Sequence, residues 1–141
     1  MDIAPVPRPR PQPEEPLNQQ FWELCQTGWL HIQRCTGCGA WRHLPRYQCA
    51  HCGSMQWEWA ISTGKGSLFS WTIVHQPMHP GFVSETPYAA VVIELEEGVR
   101  LVSMLRGLSL DALRLGLPLE LDFERLEDGF LLPVCRPVDT P

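Results

Sequence analysis

No stretch of this chain approaches the ~20 consecutive apolar residues of a membrane-spanning helix, so no membrane insertion of that kind is expected. It has no Gly-x-Ser-x-Gly elbow and no phosphate-binding loop, and no nucleophile–base pair can be recognised. Gly64-Lys65-Gly66 is too short for a phosphate loop and reads as a relaxed strand entry. These absences argue against an independent redox or acyl-transfer enzyme. Cations are also scarce, with 11 Lys/Arg against 16 Asp/Glu, and unevenly placed. Residues 1–75 carry net +1 and residues 76–141 net −6. A polyanion-binding domain usually shows the opposite sign. Nothing resembling a secretory signal precedes the cysteines, so a reducing, cytoplasmic compartment is expected.

What the chain does have is a pair of cysteine knuckles. Cys35-Thr36-Gly37-Cys38 and Cys49-Ala50-His51-Cys52 are separated by ten residues, and each is followed by glycine, Gly39 and Gly53. Four thiolates in this spacing suit one tetrahedral Zn²⁺ in a closed structural site, one ion per chain. Iron of the rubredoxin kind has the same ligand set. With four protein ligands no position is left for a catalytic water. Cys25 and Cys135 lack partner spacing and read as buried small apolar residues.

The rest of the chain divides by pattern. Residues 1–16 hold six prolines, at 5, 7, 9, 11, 13 and 16, and predict an extended arm, disordered or draped on the surface. Residues 17–28 predict a helix capped by Asn18 and ended by Gly28, with Leu17, Phe21, Leu24 and Cys25 on one face. Residues 29–60 form the metal module, with strands at Trp29–Gln33, Trp41–Leu44 and Met55–Ile61. Residues 61–137 read as five strands with a short helix at Ser109–Leu115, the layout of a small OB barrel. The Glu96-Glu97-Gly98 and Asp128-Gly129 turns mark hairpins. Residues 138–141 are a tail. The fold class is mainly β: a leading helix, a rubredoxin-like zinc ribbon and a five-stranded OB barrel.

In this order the residues resemble a known family. The marks are Phe21-Trp22, Arg34 before the first cysteine, the four cysteines, and Gly64-Lys65-Gly66-Ser67-Leu68-Phe69-Ser70-Trp71-Thr72 with His75. Gly81-Phe82, Pro87-Tyr88, Glu94-Leu95, Glu97-Gly98 and Leu132-Pro133-Val134-Cys135-Arg136-Pro137 follow, with Cys135 where an aromatic is expected. The chain is similar here to acyl-CoA-associated proteins that join a zinc ribbon to an OB-fold. The resemblance implies a non-catalytic accessory subunit of an acyl-CoA thiolase or thiolase-like aldolase, in a hetero-oligomer that serves steroid or lipid side-chain degradation. The acyl-CoA would be met through the partner.

Candidate contacts follow from the aromatics and the loops. All six tryptophans lie between residues 22 and 71. The ribbon is too small to bury every ring, so some either cover its own apolar side or meet a partner. Trp22, Trp41 and Arg42 are the expected docking residues, Trp57 and Trp59 the expected core. Lys65, His75, His79 and Phe82 are the expected contacts to a substrate channel or to coenzyme A. Glu120, Asp122 and Glu124 read as a solvated strand face. The alternative function, single-stranded nucleic-acid binding, has to contend with a barrel of net −4 over residues 61–137, and no nucleic-acid partner is expected.

Overall fold

The computed structural model describes residues 6–138; residues 1–5 of the arm and 139–141 of the tail lie outside them. One helix, α1 (Pro16–Cys25), leads into eight strands: β1 (His31–Cys35), β2 (Trp41–Arg42), β3 (Trp57–Ile61), β4 (Lys65–Val74), β5 (Tyr88–Leu95), β6 (Arg100–Met104), β7 (Pro118–Arg125) and β8 (Leu131–Pro137). Among the described residues, no helix is long and apolar enough to cross a membrane.

The helix is shorter than the sequence suggested and starts differently. Pro16 occupies the first turn, where a missing N–H costs nothing. Glu15, not Asn18, is the cap, its carboxylate accepting from the Asn18 amide at 3.1 Å. Leu17, Phe21 and Cys25 are buried as expected, and Leu24 only partly.

In the ribbon, β1 pairs antiparallel with β2 on one side and β3 on the other. Trp29 lies outside β1 and is exposed, correcting the expected strand start. Ile61 is also exposed, because the ribbon sheet ends there with nothing packed over it. Trp57 and Trp59 meet edge to face at 5.5 Å and are half-buried; only Trp59 packs on the core.

The second sheet runs β6-β5-β4-β7-β8, all antiparallel. A parallel bridge from Leu105 to Cys135, with the Arg106 amide donating to the Cys135 carbonyl at 2.8 Å, nearly closes it. This is the OB barrel's strand order and closure. A bulge between Leu68 and Ser70 bends β4 around the barrel. Gly66 lies where β4 crosses β5, and a Cβ there would run into the Glu94 carbonyl. Along β5, Ala89, Val91, Ile93 and Leu95 point inward while their neighbours are half-buried. The expected helix at 109–115 is only a 3-10 turn at Leu110–Ala112, capped by Ser109.

Helix, ribbon and barrel share one core. Phe21 and Cys25 from α1 and Leu30 and Ile32 beside or within β1 pack with Leu68, Ile93 and Leu119 of the barrel. Each fully buried Leu or Ile contributes about 1.5–3 kcal/mol, so β1 is fastened to the barrel independently of the knuckles.

Candidate metal centre and its surroundings

Both knuckles are built alike. The Cys35 amide donates to Ala40 at 2.8 Å and the Gly39 amide to Cys35 at 2.9 Å. The Cys49 amide donates to Ser54 and the Gly53 amide to Cys49, both at 2.9 Å. Each turn closes through a left-handed residue, Gly39 at φ +80° and Gly53 at φ +77°. The turns aim amides at sulfur: Gly37 at Cys35 Sγ (3.3 Å) and His51 at Cys49 Sγ (3.4 Å).

The four sulfurs all lie within 4.8 Å of one another. Across the knuckles, Cys35–Cys52 is 3.6 Å and Cys38–Cys49 is 3.7 Å. A tetrahedron with zinc–sulfur bonds of ~2.3 Å has sulfur–sulfur edges of about 3.8 Å, so the donor set fits one structural zinc with no open position. The Cys38 and Gly37 amides hold the Cys35 thiol down to about 6. Amides of Cys52 and His51 likewise lower Cys49. Cys52, although lowered by the Ser54 amide, is pushed up to about 11 by Cys35, by desolvation and by the other two sulfurs. The cluster alone therefore shares protons, and a bound dication would take all four as thiolates. Cys25 and Cys135 lie in the core, raised by burial to about 12 and about 11. They are inert packing groups.

The expected docking residues are occupied within the fold. Arg42 Nε donates to Gln33 Oε1 (2.8 Å) and Nη2 to the Arg46 carbonyl (2.6 Å). Gln33 is fully buried and also accepts from the Arg46 amide at 2.7 Å, so this pair shapes the loop between the knuckles. Trp41 is half-buried beneath the Arg34 guanidinium, 5.3 Å from its ring. Trp22 is half-buried between Phe21 and Phe130, at 5.2 and 6.2 Å.

The expected substrate contacts do not form one site. Lys65 opens β4 and His75 follows its far end, ten residues and roughly 30 Å of strand away. His79 and Phe82 do come together, edge to face at 6.5 Å, and Phe82 stacks on Tyr88 at 5.8 Å. His79 Nδ1 accepts from the Gly81 amide at 2.9 Å, so it caps the 3-10 turn Pro80–Phe82.

Two features escaped the sequence reading. Glu124 is not solvated: it joins Glu85, Arg8 and Arg106 in a half-buried network, and despite desolvation the arginines hold its carboxyl below the usual range. His43 is half-buried against Phe21 at 5.0 Å, and burial drops it to about 4. It lines an apolar groove of about 420 Å³ with Phe21, Trp22, Leu44, Val102 and Pro133, where helix, ribbon and barrel meet. Leu44 (64% exposed) and Val102 (73%) stand at its rim.

Fold and site together define a tetrathiolate zinc ribbon fused to an OB barrel, with a closed metal shell and no catalytic constellation among the described residues. Residues 22–58 match the ChsH2 rubredoxin-like zinc ribbon domain and residues 59–124 the ChsH2 C-terminal OB-fold domain. A solved structure titled Ltp2-ChsH2(DUF35) aldolase contains a chain 38% identical, with TM-score 0.82, covering 89% of this chain and 98% of that one. This protein belongs to the ChsH2 (DUF35) family. A probable enoyl-CoA hydratase alpha subunit of Thermomonospora curvata is 40% identical over 91% of this chain and 40% of its own length. The 3-oxo-4,17-pregnadiene-20-carboxyl-CoA hydratase alpha subunit of Mycobacterium tuberculosis is 32% identical over 79% of this chain and 35% of its own. The chain thus spans about two-fifths or less of these two relatives.

Proposed function

We propose that this chain is a non-catalytic accessory subunit of an aldolase acting on acyl-CoA thioesters, its partner a thiolase-like enzyme and its setting steroid or lipid side-chain degradation. The observation that carries this is its likeness, over nearly the whole of that chain, to the ChsH2(DUF35) component of a two-component aldolase. The closed metal shell supports a structural rather than catalytic zinc. The hydratase subunit names of longer relatives support carboxyl-CoA chemistry nearby.

Docking is proposed at the groove where helix, ribbon and barrel meet. Trp22 lies in it, and Leu44 and Val102 offer exposed apolar surface at its rim. Trp41 and Arg42 already spend their interactions inside the ribbon, so they would shape this surface rather than anchor the partner. The loop carrying His75, His79 and Phe82 is the proposed border of the partner's substrate channel, and Lys65 a separate contact. The test is co-purification with a thiolase-like partner. Leu44→Glu and Val102→Glu should abolish it while zinc content and melting stay unchanged; retention of the partner at wild-type yield by both would move the interface elsewhere.

A further inference from the structure

The loops at one end of the barrel enclose a cleft that already holds part of this chain. The β4–β5 loop contributes Gly81 and Glu85, and the β7–β8 hairpin contributes Leu126–Asp128. In other OB-folds the equivalent loops grip oligonucleotides or sugars. Here Val6, Pro7 and Arg8 enter it, beside a remaining space of about 600 Å³.

The approach is close along the backbone. A Cβ on Gly81 would lie 2.5 Å from the Pro7 carbonyl oxygen and 2.7 Å from Arg8 Cα. The arm can pass there only because residue 81 has no side chain. The approach is also charged. Arg8 Nη2 lies 2.6 Å from Glu124 Oε2, and Nη1 lies 3.8 Å from Glu85 Oε1. Arg106 holds the same two carboxylates from the barrel side, at 2.6 Å to Glu85 and 3.0 Å to Glu124. The Arg8 side chain is 15% exposed, so this is no free surface pair. Farther along, Arg10 lies 3.6 Å from Asp128 and 5.6 Å over the Phe130 ring.

The charge count decides what such a cleft accepts. Without Arg8 the inner network keeps Glu85 and Glu124 against Arg106, and the rim adds Glu127 and Asp128 against Arg125, a net −2 in all. That is an acceptor shaped for a second guanidinium and repulsive to phosphate. Alternating prolines keep the arm extended before it binds, so little backbone freedom is lost on docking.

We propose that the cleft between the β4–β5 loop and the β7–β8 hairpin is a receptor for an extended arginine–proline segment, and that residues 6–10 of this chain are its resident ligand. The test replaces Pro11-Gln12-Pro13 with a specific protease site in the otherwise full chain. After cleavage and removal of the arm, a fluorescent peptide of residues 1–10 is titrated back. Saturable binding is expected, weakened at least tenfold by Arg8→Ala in the peptide and not competed by a single-stranded oligonucleotide. No saturable binding, or equal binding of the Arg8→Ala peptide, would overturn the proposal. A second measurement uses the uncut chain, so that the answer survives if the cleaved protein unfolds. Heteronuclear ¹⁵N relaxation should give Arg8 and Arg10 amides the rigidity of the barrel, lost in Arg8→Ala. Flexible values already in the wild type would equally refute it.

Discussion

Withdrawing zinc should melt the knuckles and leave the barrel standing. Residues 35–56 are 22 residues with almost no core of their own: only Cys35 and Cys49 are buried. Fixing that backbone costs about 20 kcal/mol at the low end of ~1 kcal/mol per residue. Against it stand the knuckle and strand-entry hydrogen bonds of Cys35, Thr36, Gly39, Cys49 and Gly53 and the three that tie Arg42 and Arg46 to Gln33 and to each other, about 8 kcal/mol in all. Half-buried Trp41 and His43 add about 3 kcal/mol. The shortfall of about 9 kcal/mol is close to the ~10–16 kcal/mol of a structural zinc. The adjoining β1 needs no such help, because Ile32 and Leu30 are held in the shared core. Hydrogen exchange by mass spectrometry, with metal analysis of the same samples, is the assay. After chelation, or in Cys35→Ser, protection should vanish over residues 36–56 and persist at Val91 and Ile93. Surviving knuckle protection in zinc-free protein would refute the reasoning, and so would simultaneous loss of barrel protection.

Two further outcomes follow from named contacts. His43 titrates at about 4 in the fold against an ordinary 6.5. The unfolded chain therefore binds its proton first, and stability is lost as pH falls from 6.5 towards 4, by about 3 kcal/mol at ~1.4 kcal/mol per unit. Urea denaturation of wild type and His43→Leu across that range, with zinc content followed at each pH, should show the slope flattened in the variant; parallel slopes would contradict it. Gly66→Ala should cost about 2–3 kcal/mol, because its Cβ forces β4 away from the Glu94 carbonyl. Gly81→Ala should leave the melting temperature nearly unchanged and instead free the arm, as read by ¹⁵N relaxation at Arg8. Equal effects of the two substitutions on melting would show that the arm is not a separate unit.

The ligand set was legible because two Cys-x-x-Cys-Gly turns dictate their own local geometry, whatever surrounds them. The hairpins at Glu96-Glu97-Gly98 and Asp128-Gly129 and the alternation of β7 were legible for the same local reason. The barrel was reached from its strand count and not from any local mark of closure, which rests on Leu105 meeting Cys135, thirty residues on. Glu124 reads as solvated from its alternating neighbours, and nothing local announces that Arg8, 116 residues away, will pair with it. Arg42 looks like a docking anchor beside Trp41 until buried Gln33 is seen to claim it. The helix start was missed because Glu15 precedes Pro16, and the apolar pattern begins only at Leu17.

The accessory role is tested most directly by reconstitution. The isolated zinc-loaded chain, the isolated thiolase-like partner and their equimolar mixture are assayed for retro-aldol cleavage of a steroid or lipid side-chain CoA thioester. The account predicts no turnover by this chain alone, and turnover by the mixture well above that of the partner alone. Turnover by the isolated chain, surviving a mock-purification control, or a mixture no faster than the partner, would contradict it.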